Sequence, residues 1–305
     1  MTTPASLQHV ALIGFGEAGG IIGQDLAAQG VSVHVYDRLF EDAARRPALQ
    51  AKAQAAGVEL CESAASAIQG VQLVISAVTA GSALQVAEQA AAHLQPQQLF
   101  MDINSVAPAT KQAASAAIEA RSGLYVDAAV MAPVPPQRLQ TPILLGGPQA
   151  QQLADWLTPL GFNIQVVADR IGVASAIKMC RSVMIKGLEA LTTECLATAR
   201  QYGAEERVLA SLHKSFPGMG WDARQPHYLI SRVAEHGRRR AEEMEEVAKT
   251  AADVGVSPHM SLAIVQTQRG LVERMAEQGL AYSDPFDWQV LVDELYGRSI
   301  EPIPV

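Results

Sequence analysis

The chain has 305 residues, which is too many for most single hydrophobic cores, so two domains are expected. Hydrophobic residues make up 49% and charged residues 18%, which excludes a disordered chain, and the formal net charge of −8 argues against a nucleic-acid partner. No apolar run reaches membrane-spanning length and no signal-peptide pattern precedes the first strand, so we expect a cytoplasmic protein without a membrane partner.

The N-terminal residues carry a dinucleotide-binding pattern. An apolar run over 8–13 leads into a G-x-G-x-x-G turn, and a helix is predicted over 21–29. Gly14 permits the tight turn, Gly16 lets the backbone approach a pyrophosphate, and Gly19 lets the helix pack closely on the strand. The helix N-terminus adds N–H groups and a partial positive charge for the phosphates. The predicted cofactor contacts in this turn are Gly14, Phe15, Gly16, Glu17, Ala18 and Gly19.

The second predicted strand, over 31–36, ends at Asp37. A carboxylate at this position accepts hydrogen bonds from the ribose hydroxyls and repels a 2′-phosphate, which favours NAD as the cofactor. NADP stays open because Arg38, next along the chain, can accept that phosphate instead.

The first half of the chain alternates short apolar runs with alanine-rich helical patterns, which predicts a doubly wound parallel sheet in an α/β domain. The predicted strands are 8–13, 31–36, 57–60, 72–78, 98–103, 124–127, 142–146 and 162–167. The predicted helices between the later strands are 41–56, 82–94, 107–121 and 149–160. We assign residues 1–168 to a Rossmann-type dinucleotide-binding domain.

The second half carries only helical patterns. They are predicted over 171–201, 205–214, 225–254, 257–278 and 284–298. We therefore expect a long interdomain helix over 169–201 and an all-α domain over 202–305. The three cysteines, Cys61, Cys180 and Cys195, have no metal or redox spacing, which predicts buried free thiols and no metal site.

Ligands of an open α/β sheet bind at the carboxyl ends of the strands, so residues just past each strand are candidates. The candidates for cofactor contacts are Val78, Thr79 and Asn104. The candidates for substrate contacts are Ser105, Val130, Met131 and Ala132. A second interpretation is that Thr79 and Ser105 cap the helices that follow them, and the two roles are compatible.

Lys178 lies among apolar neighbours in the first turns of the long helix. Most helix lysines are solvated surface residues. A lysine on a helix that leaves the cofactor domain can instead point into the interdomain cleft, where desolvation would lower its pKa toward the range useful for acid–base chemistry.

These motifs together resemble the β-hydroxyacid dehydrogenases, a group that includes 3-hydroxyisobutyrate and 6-phosphogluconate dehydrogenases. The resemblance rests on the glycine turn, Asn-Ser-Val-Ala-Pro at 104–108, Asp-Ala-Ala-Val at 127–130, and Gly172-x5-Lys178, and it covers roughly residues 8–200. The C-terminal part is similar to a helical domain of unknown function from a bacterial branch of this superfamily. The resemblance implies hydride transfer between a nicotinamide and a small hydroxyacid or related alcohol, with Lys178 as general acid/base, and a homodimer formed through the helical domains.

The chain departs from the family pattern at the expected substrate side. Met131-Ala132-Pro133 replaces the family's Ser-Gly-Gly, whose N–H groups help to hold a carboxylate, and proline has no N–H to give. The family's asparagine after the lysine is replaced by Arg181 and Ser182. Ser182 could bond a substrate hydroxyl, and Arg181 could meet a carboxylate or phosphate.

The lysine that many relatives carry in the helical domain has no clean counterpart. The basic run Arg238–Arg240 and the nearby His236 are possible substitutes, and His236 and Arg239 are the candidates for binding substrate charge. The competing interpretation is a solvated helix face held by i,i+4 ion pairs such as Arg239–Glu243.

Two other functions stay open at this stage. An imine reductase shares this architecture and would suit the apolar segment over 131–136, but enzymes of that type generally place an aspartate or tyrosine where this chain has Lys178. A non-catalytic dinucleotide sensor would bind cofactor without turnover of any alcohol, carbonyl or imine.

Overall fold

The computed structural model describes residues 6–222 and 224–297, and these residues form two compact units that divide between Met179 and Cys180. The boundary falls inside the long helix. The assignment of residues 169–201 to a segment of their own stays a prediction.

The first unit is built on one eight-stranded sheet in the order β3-β2-β1-β4-β5-β6-β7-β8. The strands are β1 (His9–Ile13), β2 (Ser32–Tyr36), β3 (Glu59–Leu60), β4 (Leu73–Ser76), β5 (Leu99–Asp102), β6 (Leu124–Val130), β7 (Ile143–Gly146) and β8 (Ile164–Ala168). All eight predicted strands are therefore present. The order reverses beside β1, so β1 and β4 flank the switch point at which dinucleotides bind in sheets of this type.

The central strands form a core on both faces of the sheet. In β1, Val10 and Leu12 pack into the cluster on one face, whereas Ala11 and Ile13 pack into the cluster on the other. Successive side chains of a strand point to opposite faces, so a strand buried on both sides reads as a continuous apolar run. This is why the sequence pattern located these strands correctly.

The helices of the first unit lie between its strands. They are α1 (Glu17–Ala28), α2 (Arg46–Ala56), α3 (Ala64–Ile68), α4 (Ala83–Ala91), α5 (Pro108–Glu119), α6 (Val134–Gln137) and α7 (Ala150–Leu157). The structure adds α3 and α6, which are too short to show a helical period. It also starts α2 at Arg46, five residues later than predicted, after a 3₁₀ turn over Arg38–Phe40 in which Asp37 accepts a hydrogen bond from the Leu39 amide.

Two features of the sheet differ from the prediction. β6 and β7 pair antiparallel, so the sheet is mostly but not fully parallel. A parallel connection needs a crossover long enough to traverse the sheet, and residues 131–142 supply only short helical turns. β6 also continues to Val130, so Ala128–Val130 belong to the strand and not to the loop after it.

Helix α8 (Val173–Gln201) begins in the first unit and continues into the second. From Cys180 onward every regular element that the structure describes is a helix. The further helices are α9 (Glu205–Ser215), α10 (Gln225–Ala252), α11 (His259–Glu277) and α12 (Trp288–Tyr296). The last one starts four residues later than predicted, where Asp287 caps it, and residue 298 of that prediction lies outside the described residues.

The helical unit has its own core around α10 and α11. A side chain at Gly237 of α10 would approach the carbonyl oxygen of Gln268 on α11 to 2.4 Å, so glycine permits this close crossing. Val233, Leu271 and Leu291 bring α10, α11 and α12 into one apolar cluster. Among the residues described, every helix is too short or too polar to cross a membrane.

The prediction of buried thiols is correct only for Cys61. Cys180 and Cys195, both on α8, are exposed.

Candidate functional site

The glycine turn has the geometry that its sequence predicts. Gly14 has a φ of +96°, and a side chain there would approach the carbonyl oxygen of Ala77 to 2.3 Å. A side chain at Gly19 would approach the Gly14 carbonyl oxygen to 2.2 Å, whereas one at Gly16 would meet no atom within 4 Å. The two outer glycines therefore permit close packing, and Gly16 leaves open space beside the turn for a ligand.

Helix α1 begins directly after Gly16, earlier than the predicted start at residue 21, and no side chain caps its N-terminus. The first N–H groups of a helix have no partner within it, so Glu17 and Ala18 lie in a turn suited to a phosphate. The residues of this turn thus fit the pyrophosphate of a dinucleotide.

Asp37 fixes the glycine turn through its carboxylate. Its Oδ2 accepts a hydrogen bond from the Phe15 amide at 2.8 Å, and its Oδ1 accepts one from the Leu39 amide at 2.9 Å. A carboxylate has about four acceptor positions, so each oxygen retains one for a ribose hydroxyl. Arg38 is exposed beside it.

Lys52 of α2 also holds this turn, and no sequence pattern indicated this role. Its ammonium donates to the carbonyl oxygens of Phe15 at 2.5 Å and Gly16 at 2.8 Å, and it lies 4.6 Å from the centre of the Phe15 ring. Partial burial lowers the pKa of Lys52, and the nearby carboxylates of Asp37 and Glu17 oppose that shift. The contact joins residues 36 and 37 positions apart, beyond the reach of any local motif.

The ends of β4 and β5 are joined by Asn104. Its Oδ1 accepts from the Val78 amide at 2.6 Å, and its Nδ2 donates to Ser76 Oγ at 2.9 Å. The side-chain amide is therefore engaged within the protein, and the contacts predicted between Val78, Asn104 and a cofactor stay predictions. Thr79 occupies the cap position of a 3₁₀ turn without a capping bond from its side chain, and its hydroxyl lies 3.3 Å from Ser82 Oγ.

Ser105 and Lys178 meet in the first unit. Lys178 Nζ donates to Ser105 Oγ at 2.5 Å, and both side chains are half-buried. The interpretation of Ser105 as a helix cap is wrong, because α5 begins at Pro108 with Ala107 at the cap position. An amine and a hydroxyl at the carboxyl end of β5 can together hold and move a proton.

Helix α8 is anchored where it leaves the sheet. Asp127 Oδ2 accepts hydrogen bonds from the amides of Gly172 at 3.0 Å and Ser175 at 3.1 Å. These bonds satisfy N–H groups at the start of the helix that carries Lys178, and the carboxylate complements the helix dipole.

Much of the backbone of the segment after β6, where substrate contacts were predicted, is engaged within the protein. Val130 ends the strand, and the Met131 amide donates to the Pro142 carbonyl oxygen at 2.8 Å. Pro133 has no N–H and leads into α6. Of the three candidates at 130–132, only Ala132 lies clear of these strand and loop bonds in the contacts described.

The remaining predicted substrate residues lie in the helical unit, and three of the four lie beside charged side chains. Ser182 is buried, and its Oγ lies 3.4 Å from the ammonium of Lys186, which pairs with Glu243 at 2.9 Å. Arg181 is exposed on α8. Arg239 is 56% exposed and also pairs with Glu243, at 3.7 Å.

His236 lies beside Glu235, with Nε2 3.3 Å from its carboxylate. Burial, helped by the charge of Arg232, lowers the pKa of His236. His236, Arg238 and Arg239 line a cavity of about 410 Å³ in the helical unit, with Val272 and Met275 on its apolar side. Both predicted residues, His236 and Arg239, therefore share one cavity within this unit.

Arg240 belongs to a different group. It donates twice to the Glu189 carboxylate at 2.8 Å, and Gln268 Nε2 donates to the same carboxylate at 3.1 Å. Burial raises the pKa of Glu189, and the charge of Arg240 opposes that shift. Arg240 is thus part of a buried ion pair that links α8, α10 and α11.

Comparisons with known proteins match two parts of the chain to family models. Residues 9–167 match the NAD binding domain of 6-phosphogluconate dehydrogenase, and residues 199–271 match a domain of unknown function, DUF1932.

Individual proteins extend this likeness. A 3-hydroxyisobutyrate dehydrogenase from Pseudomonas aeruginosa is 26% identical over 226 residues, which is 70% of this chain and 72% of the relative. The solved structure of a conserved hypothetical protein from Sinorhizobium meliloti is 39% identical, with a TM-score of 0.74 over 97% of this chain and 98% of that one. A reductive aminase from Aspergillus terreus shares the fold at 18% identity, with a TM-score of 0.56 over 94% of this chain and 99% of that one.

Proposed function

This chain belongs to the β-hydroxyacid dehydrogenase superfamily of NAD(P)-dependent enzymes, and from that premise we propose that it transfers a hydride between NAD and a small hydroxyacid or related alcohol, with Lys178 as general acid/base. The observation that carries the proposal is the hydrogen bond from Lys178 to Ser105 at the end of β5, in the same unit as the glycine turn.

The protein's own groups have separable roles in this reaction. A bound nicotinamide would supply the acceptor for the hydride that leaves the substrate carbon. As the neutral amine, Lys178 takes the hydroxyl proton at Nζ during oxidation; as the ammonium, it stabilises the alkoxide that develops during reduction and gives it that proton. Ser105 holds that nitrogen in place through its Oγ. Asp37 and the N-terminus of α1 would hold the adenosine ribose and the pyrophosphate.

The test of the lysine compares Lys178→Met with the wild type across a panel of hydroxyacids and their keto products. Losing a general acid/base lowers turnover by about 10²- to 10⁴-fold, while NADH affinity, measured by nicotinamide fluorescence, stays close to that of the wild type. Lys214→Met is a matched control, because it removes the same charge from an exposed position on α9. A Lys178→Met variant with wild-type turnover on the accepted substrate would overturn the assignment.

NAD is favoured over NADP because the Asp37 carboxylate opposes a 2′-phosphate and both of its oxygens retain acceptor positions. We expect NADH to bind more tightly than NADPH in parallel titrations. Tighter NADPH binding that is lost in Arg38→Ala would reverse this preference.

An imine reductase is the second candidate, favoured by the apolar character of Met131 and Val134 beside three prolines. Imines therefore belong in the same panel. Turnover of imines that survives Lys178→Met would support this candidate. Tight NADH binding without turnover on any substrate class would support a dinucleotide sensor.

We also propose a homodimer formed through the helical unit. Met184 and Leu191 of α8 are 66% and 57% exposed, and Leu188 lies between them at helical spacing, so they form one apolar stripe. Exposed apolar patches of this kind often mark interaction surfaces. We expect light scattering to give a dimer mass that Met184→Glu with Leu191→Glu reduces to a monomer. Val290→Glu, at a comparably exposed position on α12, should leave the mass unchanged; a monomeric wild type would contradict the proposal.

A further inference from the structure

The first unit contains a lysine with no exposed surface, Lys111 of α5. Its ammonium lies among oxygen atoms of β5 and β6. It donates to the Asp102 carbonyl oxygen at 2.6 Å and to that of Ala128 at 3.4 Å. It also pairs with the carboxylates of Asp102 at 3.0 Å and Asp127 at 3.6 Å.

Lys111, Asp102 and Asp127 form one buried cluster. On one side of this cluster, Asp102 holds the loop that carries Ser105. Asp102 Oδ1 accepts from the Asn104 amide at 2.8 Å, and its Oδ2 accepts from the Tyr125 hydroxyl at 2.7 Å. Asn104 in turn bonds to Val78 and Ser76. Ser105 therefore follows a residue fixed on both its backbone and its side chain.

The other side of the cluster holds the helix that carries Lys178. The Asp127 oxygen not used by Lys111 accepts from the Gly172 and Ser175 amides at the start of α8. Lys178 lies three residues beyond Ser175, less than one turn along the helix. Lys111 thus contacts the two carboxylates that hold the two partners of the Lys178–Ser105 hydrogen bond.

Burying such a charged cluster costs free energy of desolvation. Removing an ammonium from water costs several kcal/mol even after relaxation, and apolar side chains of similar volume often replace buried ion pairs without loss of stability. Two carboxylates around one ammonium leave one formal negative charge, which lies at the positive end of the α8 dipole. The arrangement is therefore better explained by the geometry that it fixes than by the stability that it adds.

We propose that Lys111 is a positioning residue, which together with Asp102 and Asp127 sets the distance between Ser105 and Lys178. The inference rests on the proposed function of Lys178 for its effect on turnover, but its effect on geometry can be measured without any substrate.

The test uses a charge-balanced pair, Lys111→Met with Asp102→Asn, because removing the lysine alone would leave two buried carboxylates without their cation. Asparagine at 102 can still accept from the Asn104 amide. The first readout is the rate at which acetic anhydride labels Lys178, followed by mass spectrometry. We expect faster labelling in the variant, because Ser105 no longer holds the amine.

The second readout is turnover. Misplacing a reacting group by about 1 Å costs roughly 10²-fold, so we expect kcat to fall by about ten- to a hundredfold with little change in KM or NADH affinity. Adding Ser105→Ala to the pair should not raise the labelling of Lys178 further, because both changes act on the same hydrogen bond. A folded variant with wild-type labelling and wild-type kcat would overturn the proposal.

Two further variants separate positioning from stability. Gln98→Leu removes a buried side chain at the opposite end of β5, where it donates to the Ile68 and Val71 carbonyl oxygens. It should lower the melting temperature without changing kcat or the labelling of Lys178. If the charge-balanced pair does not fold, Asp127→Asn is the second variant, with the same expected and overturning results.

Failure of the enzymatic function is distinguishable from failure of this inference. A wild type that binds NADH but turns over no substrate would contradict the dehydrogenase proposal. The labelling of Lys178 in the wild type and the variants would still decide whether Lys111 sets its position.

Discussion

The two units use their charged side chains differently. In the first unit the charges at the glycine turn and at the start of α8 bind backbone groups: Asp37 accepts from the Phe15 amide, Lys52 donates to two carbonyl oxygens of the same turn, and Asp127 accepts from the start of α8. Lys111 pairs with two carboxylates there, but it also donates to two backbone carbonyl oxygens. In the helical unit charged side chains bind one another, as in the pairs Arg240–Glu189 and Lys186–Glu243. Charges bound to backbone shape a turn or a helix end, whereas paired side chains mainly hold helices together.

Among the tests of this difference, the largest effect is expected from Arg240→Leu in the helical unit. It leaves the Glu189 carboxylate buried without its cation, which costs about 3–5 kcal/mol of the free energy of unfolding. Glu189→Leu combined with Arg240→Leu should recover most of that loss, as urea unfolding would show. Burial raises the pKa of Glu189, and losing Arg240 raises it further. The loss in free energy of unfolding that Arg240→Leu causes should therefore shrink as the pH falls toward 4.5 and grow as the pH rises above it.

Arg239→Leu is the control for that experiment. Arg239 is 56% exposed, and its pair with Glu243 is worth less than about 1 kcal/mol. If Arg240→Leu instead raised KM while leaving the free energy of unfolding unchanged, the guanidinium would be a ligand for substrate and the contrast between the units would not hold.

A smaller effect is expected from Lys52→Met in the first unit. The ammonium donates to the Phe15 and Gly16 carbonyl oxygens, and a hydrogen bond to a charged group is worth about 1.5–3 kcal/mol, so NADH affinity should fall by roughly tenfold or more. Lys214→Met should leave that affinity unchanged. Equal NADH affinity in the wild type and Lys52→Met would show that the turn keeps its shape without the lysine.

The same contrast explains which features could be predicted from the sequence. The glycine turn, Asp37 and the strand ends are local patterns, so the sheet and the dinucleotide site follow from residue order. Lys178 stood out only through its place in the Gly172-x5-Lys178 motif. Its contact with Ser105 spans 73 residues. Glu189 and Arg240 are 51 residues apart, and no local pattern indicates that they pair. The antiparallel direction of β7 was not predicted, because it depends on how the loop before the strand folds.

The smallest predicted effect concerns Tyr36, which precedes Asp37. Burial and the hydrogen bond to Glu41 raise the pKa of Tyr36 to about 12 from an ordinary value of 10.0. A folded-state pKa above the unfolded one contributes stability that is complete below pH 10 and is lost as the pH rises toward 12. The advantage of the wild type over Tyr36→Phe in thermal unfolding should therefore disappear across that interval, in step with the phenolate absorbance that the variant lacks. An advantage that persists unchanged to pH 12 would mean that folding does not raise the pKa of Tyr36, and that neither burial nor Glu41 disfavours its phenolate at the end of β2.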